Sequence, residues 1–176
     1  MNEIIKKNGI TFGIISGLIY ILIETLIYII NVQLYISWWL GSLKIAVSLI
    51  LACILIAKTK KDLSGNISFK EVFTAYFIMA LVGLALYTTF TNILYIIIDP
   101  TLQVTVKELA IKATAEIMRK FGSDSATTSA AINAIQETDQ FSVLQQIKEI
   151  FTSLVRSSIF GLILAAFFKT PTRQEI

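Results

Sequence analysis

The stretch "YILIETLIYIINVQLYISWWLGSLKIAV", from Tyr20 to Val47, decides the fold of this chain. It contains two long apolar runs joined by a short polar turn, and each run carries one charge, Glu24 in the first and Lys44 in the second. A helix needs roughly 20 mainly apolar residues to cross the core of a bilayer. The stretch therefore predicts a hairpin of two membrane-spanning helices.

The composition of the whole chain agrees with a membrane protein. Its 176 residues are 55% apolar and 15% charged, with a net charge of +3, whereas a soluble domain usually carries about a quarter charged residues. Histidine is absent and cysteine occurs once. These counts exclude histidine-dependent catalysis and a domain stabilised by internal disulfides.

Apolar runs along the chain predict four spans and one long polar insertion. The spans are expected at about 10–30, 37–57, 72–98 and 150–168. We therefore predict an all-α integral membrane four-helix bundle with a small helical insertion between spans three and four. Its parts are expected to be spans one to three at 1–98, a helical cap at 99–149, and the fourth span with its tail at 150–176.

Lysine and arginine residues near the spans predict the orientation. One side of a four-span arrangement collects most of these residues, namely Lys6, Lys7, Lys58, Lys60, Lys61, Lys70, Lys169 and Arg173. Because positive charge accumulates on the cytoplasmic side of a membrane, both termini are expected in the cytoplasm. The cap at 99–149 is then expected on the extracytoplasmic side.

The charges inside the spans are expected to meet. Glu24 and Lys44 each lie about 9 to 10 Å below the outer end of their helices, at 1.5 Å per residue. A lone charge near the bilayer centre costs roughly 3 kcal/mol, and pairing is the usual remedy. Asn92 and Arg156 are expected at a similar depth, so the sequence predicts one intramembrane polar layer formed by Glu24, Lys44, Asn92 and Arg156.

Three roles for this polar layer stay open. Its members can satisfy one another and fix the register of the helices. Lys44 and Arg156 outnumber Glu24, so the layer can also bind a lipid phosphate. Glu24 can instead titrate in a proton-coupled transporter, although Lys44 at equal depth favours its ionised form.

Small residues recur every four positions in two of the spans. They are Gly9, Gly13 and Gly17 in the first span, and Gly161 and Ala165 in the fourth. Such spacing lets two membrane helices approach closely. We predict that these faces pack inside the bundle, and the alternative is the seam of a homodimer.

The cap is predicted to be helical. Asp99 and Pro100 suit the start of its first helix, and Thr105 with Glu108 offers a second possible start as a capping box. The stretch "SDSATTS" at 123–129 predicts a turn before a weaker second helix. A last helix is expected to run from about Ser142 into the fourth span. The first cap helix has an apolar face that comprises Val106, Leu109, Ala113, Ile117 and Phe121. This face is expected to pack on its neighbours or on the bilayer surface, and the alternative is that it binds a partner.

Three short motifs support a family assignment. "KKDLSGNISFKEVF" at 60–73 resembles the cytoplasmic turn of a bacterial family known only as a domain of unknown function, number forty-one ninety-nine. "GITFGIISGLIY" at 9–20 and "YIIIDP" at 95–100 are similar to the entry and the third-span exit of that family. The resemblance covers nearly the whole chain. It implies a small four-span protein of the bacterial inner membrane, and it implies no activity.

The sequence contains no constellation that indicates catalysis. It lacks a phosphate-binding loop, a dinucleotide fingerprint and any metal-ligand spacing. We therefore predict a non-catalytic accessory or scaffold subunit of a larger envelope complex, without cofactor, metal or nucleic acid. Its expected partners are the lipid bilayer and other membrane proteins or a second copy. The alternatives are a protein that binds an anionic lipid or a polyprenyl phosphate, and a small proton-coupled transporter that uses Glu24.

Overall fold

The computed structural model describes residues 2–139 and 142–170, and this part of the chain is all-helical. A 3₁₀ turn at Val32–Ile36 joins the first two helices, and a π-helical turn at Ile93–Ile98 extends the third. The described residues form six α-helices, namely α1 (Glu3–Ile30), α2 (Trp38–Asp62), α3 (Phe69–Asn92), α4 (Thr101–Lys120), α5 (Ser125–Glu137) and α6 (Val143–Phe168).

Four of these helices are long and apolar enough to cross a membrane, namely α1, α2, α3 with its π turn, and α6. The structure thereby confirms the predicted all-α membrane bundle. The helices α4 and α5 form the insertion between the third and fourth spans.

Two helices begin earlier than predicted, because polar side chains cap them. The Asn2 side chain accepts a hydrogen bond from the backbone N–H of Ile4, so α1 starts at Glu3. The predicted turn at 123–129 is wrong, because Asp124 accepts a hydrogen bond of 2.6 Å from the backbone N–H of Thr127. This cap starts α5 inside the expected turn.

The other ends of the cap agree more closely with the sequence. Asp99 Oδ1 accepts hydrogen bonds from the backbone N–H and the hydroxyl of Thr101, so α4 begins one residue later than predicted. The hydrogen bond from the Thr101 hydroxyl is the main cause that lowers the pKa of Asp99 below its usual value, and local burial offsets only part of this shift. The helix α6 runs unbroken into the fourth span, as predicted, with Ser142 as its N-terminal cap.

The glycine face of α1 packs against α3 inside the chain. A Cβ atom built on Gly13 would lie 2.6 Å from Val82 Cβ and 3.0 Å from the carbonyl oxygen of Met79. Real Cβ atoms do not approach that closely, so only glycine allows this separation of the helices. Gly9 and Gly17 meet Ile78 and Leu86 of α3 in the same way. This face is therefore occupied within one copy of the chain.

The fourth span packs on the opposite side of α3. A Cβ atom on Gly161 would lie 2.9 Å from the ring of Tyr76, and Ala165 is fully buried. The segment between α2 and α3 also holds the end of α6, because Thr170 N–H donates to the carbonyl of Ile67 over 2.8 Å. In return, the N–H of Ile67 donates to the Thr170 hydroxyl over 3.0 Å. These two hydrogen bonds join the connection between the second and third spans to the end of the fourth.

The spans share a core at that end of the bundle, whereas α2 and α6 are separated further along it. Its main core contains residues of all four spans, such as Ile5, Leu55, Val72 and Ala165. Beyond this core, α2 and α6 both remain close to the α1–α3 pair but hardly contact each other. A lateral groove between α2 and α6 is the result.

The cap lies over the other end of the bundle. The helix α4 packs on α5, on the 3₁₀ turn and on the π turn, and Leu102 is buried with Leu94 and Tyr95. Burial of the predicted apolar face stops partway along α4. Its first three members are partly buried, whereas Ile117 is 54% exposed and Phe121 86% exposed.

Candidate functional site

Glu24 is the centre of a buried polar cluster and is only 1% exposed. Its Oε2 accepts a hydrogen bond of 2.9 Å from the Tyr87 hydroxyl and lies 3.4 Å from Lys44 Nζ. Its Oε1 accepts a hydrogen bond of 3.1 Å from the Tyr95 hydroxyl. Both carboxylate oxygens are therefore paired, as a charge inside a membrane requires.

A third tyrosine lies beside this carboxylate. Tyr35 comes from the 3₁₀ turn between α1 and α2. Burial is the main cause that raises the pKa of Tyr35 above its usual value, and the nearby Tyr95 hydroxyl and Glu24 carboxylate raise it further. The Tyr35 hydroxyl is buried, and no hydrogen bond satisfies it among the residues that the structure describes. Tyr35 lines a cavity, and its hydroxyl oxygen is buried in the wall of that cavity.

Lys44 is held in place from several sides. Its ammonium group lies 5.5 Å from the centre of the Tyr87 ring, within the range of a cation–π contact. The Tyr20 hydroxyl donates a hydrogen bond of 3.2 Å to the backbone carbonyl of Lys44. The Lys44 side chain nevertheless stays 28% exposed. Its charge is thus positioned by Glu24 and Tyr87 but still accessible from the groove.

The other two members of the predicted polar layer make separate contacts. Asn92 Nδ2 donates a hydrogen bond of 2.8 Å to Gln146 Oε1, which joins α3 to α6. Arg156 Nη2 lies 3.3 Å from the Ser153 hydroxyl on its own helix, and the residue is exposed. Within 2–139 and 142–170, no carboxylate forms an ion pair with Arg156. Among the described contacts, Glu24 and Lys44 therefore meet each other, whereas Asn92 and Arg156 contact other side chains.

Lys44 and Arg156 line the same cavity of about 400 Å³, the groove between α2 and α6. The helices α1 and α3 form its floor. Most of its walls are apolar, with Leu49, Met79 and Phe160 among them. Four serine hydroxyls add polar positions, from Ser16, Ser48, Ser153 and Ser157. The groove can accommodate an alkyl chain beside two cations.

A second cavity, of about 700 Å³, lies between the cap and the bundle, and we call it the cap cavity. Lys44 and Tyr87 line both the cap cavity and the groove, so the two spaces meet at this pair. Most of the residues that line the cap cavity have polar side chains, although apolar atoms make up the larger part of its surface. The lining consists of Glu24, Tyr35, Lys44, Tyr87, Thr91 and Tyr95 from the bundle and its turn, with Ala134, Ile135, Thr138, Gln145 and Glu149 from α5, its C-terminal end and α6.

The three tyrosines around Glu24 were missed by sequence reasoning. A buried tyrosine hydroxyl usually has a hydrogen-bond partner, so Tyr87 and Tyr95 inside an apolar span were a usable signal. Nothing in the sequence, however, indicated that Glu24 was the shared partner. The π turn also shifts the register after Ile93, since the Asp99 N–H bonds to the carbonyl of Leu94, five residues back.

Comparison with known proteins gives a family without an assigned activity. No curated protein matches the chain, and no solved structure does. A family model matches residues 11–170, which include most of α1, the other three spans and the cap, and it confirms the resemblance seen in the sequence motifs. The chain belongs to the family described as "Protein of unknown function (DUF4199)".

Proposed function

We propose that this multi-pass membrane protein binds an anionic lipid, without a catalytic step. The alkyl chain lies in the groove between α2 and α6, and the phosphate lies between Lys44 and Arg156. One observation carries the proposal, namely that a single, mostly apolar cavity is lined by both cations and opens between two spans that hardly touch.

The charges around the groove support a singly charged ligand. Lys44 is balanced by Glu24, whereas Arg156 has no carboxylate partner among the described residues. One positive charge therefore remains, and a phosphodiester carries one negative charge. An arginine inside a span costs roughly 3 kcal/mol when it is unpaired. A phosphate offsets this cost, because the guanidinium group can donate two parallel hydrogen bonds to it.

The predicted topology gives the membrane side of this site. With both termini in the cytoplasm, as predicted, the cap lies on the extracytoplasmic side and the groove lies in the outer leaflet of a bacterial inner membrane. The lysines at both ends of the α2–α3 connection and near both termini support this orientation. The proposed ligand is then an outer-leaflet lipid that enters sideways between α2 and α6.

The test compares two arginine variants of the purified protein. Arg156→Met removes the cation from the groove, whereas Arg119→Met removes an exposed arginine at the end of α4 and serves as the matched control. Lipids that remain bound after purification in mild detergent are identified by native mass spectrometry. We expect Arg156→Met to weaken anionic-lipid binding roughly tenfold to hundredfold, the value of a charged hydrogen bond. Equal lipid content in both variants would overturn the proposal.

A second candidate, the accessory subunit predicted from the sequence, is favoured by a different surface. Ile117 and Phe121 are exposed at the end of α4, outside the four spans. An apolar surface of this kind suits a partner protein. Phe121→Glu is expected to abolish recovery of a stoichiometric membrane partner from native membranes after cross-linking. Val104→Glu, at another exposed apolar position of α4, is the control, and a partner kept by both variants contradicts this role.

A further inference from the structure

We infer that the cap cavity holds the headgroup of the bound lipid and selects an uncharged headgroup rich in hydroxyl groups. The ligand is then a sugar or a polyol joined through a phosphate to one or more alkyl chains. This inference rests on the proposed lipid binding in the groove, and it names the class of lipid. Its first support is the continuity of the two cavities at Lys44 and Tyr87.

The phosphate position fixes where the rest of the ligand lies. Lys44 stands at the junction of the groove and the cap cavity. A phosphate bound by Lys44 and Arg156 directs its apolar chain into the groove, which is mostly apolar. The substituent on the other side of the phosphate then enters the cap cavity. The cap cavity has a volume of about 700 Å³ and the groove a volume of about 400 Å³, so the cap cavity has room for a bulky headgroup.

Charge in the cap cavity disfavours an ionic headgroup of either sign. Two carboxylates, Glu24 and Glu149, line it together with Lys44. Because Lys44 balances Glu24 at 3.4 Å, Glu149 leaves the lining with a net negative charge that disfavours a second phosphate or a carboxylate on the ligand. An ammonium headgroup faces a different obstacle. The buried Glu24 carboxylate is already paired with Lys44 at 3.4 Å, and a second cation would compete with that lysine. Glu149 is exposed, so solvent screens its attraction for an ammonium group. An uncharged headgroup avoids both penalties.

Hydroxyl groups match the hydrogen-bonding capacity of this lining. Thr91 and Thr138 donate their own hydroxyl protons to backbone carbonyls, over 3.0 and 2.7 Å, so their oxygens remain free to accept. The Tyr35 hydroxyl is buried in the wall without a hydrogen bond that satisfies it. A ligand hydroxyl can donate to the threonine oxygens and accept from Tyr35. Buried polar groups are normally satisfied, so the Tyr35 hydroxyl indicates a polar ligand at this point.

The test measures headgroup preference in nanodiscs of phosphatidylcholine by native mass spectrometry. The added lipids are phosphatidylglycerol and phosphatidylinositol as polyol lipids, a polyprenyl phosphosugar as the sugar lipid, and phosphatidic acid and phosphatidylethanolamine for comparison. We expect at least one hydroxyl-rich lipid to bind roughly tenfold more tightly than phosphatidic acid. The ranking within this group distinguishes a polyol from a sugar headgroup. Equal binding of phosphatidic acid, or preferred binding of phosphatidylethanolamine, would overturn the inference.

A pair of tyrosine variants tests the contact itself. Tyr35→Phe removes only a hydroxyl that no described residue satisfies, so its effect on the free energy of unfolding should be small. We expect it to weaken binding of the preferred lipid roughly threefold to tenfold, and to leave phosphatidic acid binding unchanged. Tyr28→Phe, whose hydroxyl contacts Asp99 outside the cavity, is the matched control. An unchanged preference in Tyr35→Phe contradicts the inference.

The two proposals fail in different ways. If no anionic lipid binds, or if Arg156→Met binds as well as the unaltered protein, the lipid site itself is wrong. If anionic lipids bind in an Arg156-dependent manner but without headgroup preference, only the assignment of the cap cavity is wrong.

Discussion

Replacing Glu24 by leucine tests whether the buried ion pair holds the upper half of the bundle together. The substitution removes the acceptor of Lys44, Tyr87 and Tyr95 at once. The unpaired Lys44 ammonium costs about 3 kcal/mol inside the membrane. Two lost tyrosine hydrogen bonds add about 0.6 kcal/mol each. The expected loss in the free energy of unfolding is therefore about 4 kcal/mol.

Two further variants separate the charge from the hydrogen bonds. Glu24→Gln keeps one acceptor oxygen, and so one of the two tyrosine hydrogen bonds, while it loses the ion pair with Lys44. Its expected loss in the free energy of unfolding is therefore smaller than that of Glu24→Leu. The double variant Glu24→Leu with Lys44→Leu leaves no unpaired charge in the span. We expect it to be more stable than Glu24→Leu by about 2 to 3 kcal/mol, because the main cost comes from the orphaned ammonium group.

The assay is a double-mutant cycle on reversible unfolding in detergent. Unfolding is induced with a denaturing detergent and followed by helical circular dichroism for the two single variants, the double variant and the unaltered protein. The coupling energy between Glu24 and Lys44 is the quantity of interest. If Glu24→Leu costs less than about 1 kcal/mol, or if the two substitutions add within about 0.5 kcal/mol, then Lys44 reaches polar surroundings on its own and the reasoning is refuted.

Two other predictions concern helix packing and capping. Gly13→Ala places a methyl group against α3 and is expected to lower the free energy of unfolding by about 1 to 3 kcal/mol in the same assay. Gly41→Ala is the control, because its added methyl group has nothing within 4 Å and should be neutral or slightly stabilising. Equal effects of the two variants would contradict the close packing of α1 on α3. Hydrogen bonds from Thr127 keep the pKa of Asp124 below its usual value of 3.8. Its stabilisation of α5 is therefore present above that value and is lost as the pH falls through the lower pKa of the folded state. Amide hydrogen exchange should show that α5 loses protection in that acidic range. Asp124→Asn keeps a cap that does not titrate, so this variant should lose the pH dependence. If α5 stays protected at neutral pH in Asp124→Ala, the capping role is contradicted.

Sequence patterns within single segments were enough to predict the membrane architecture. The lengths of the apolar runs predicted four spans, because each membrane helix satisfies its own backbone hydrogen bonds and needs only enough apolar residues. The short turn at 31–36 forced α1 and α2 to run side by side, so the expected proximity of Glu24 and Lys44 followed from helix geometry alone. Caps were less accurately predicted, since Asp124 starts α5 within a segment whose composition favours a turn.

The tertiary structure decided the site. The sequence by itself determined four spans, a cap and two charges at equal depth, since hydropathy and helical rise act within single helices. It did not determine that Tyr87 and Tyr95 share Glu24, that the α1 glycines face α3, or that α2 and α6 diverge into a groove containing Arg156. These features depend on which faces of distant helices meet, and contacts between helices far apart in the chain choose those faces. The groove exists because both outer helices pack on the α1–α3 pair rather than on each other.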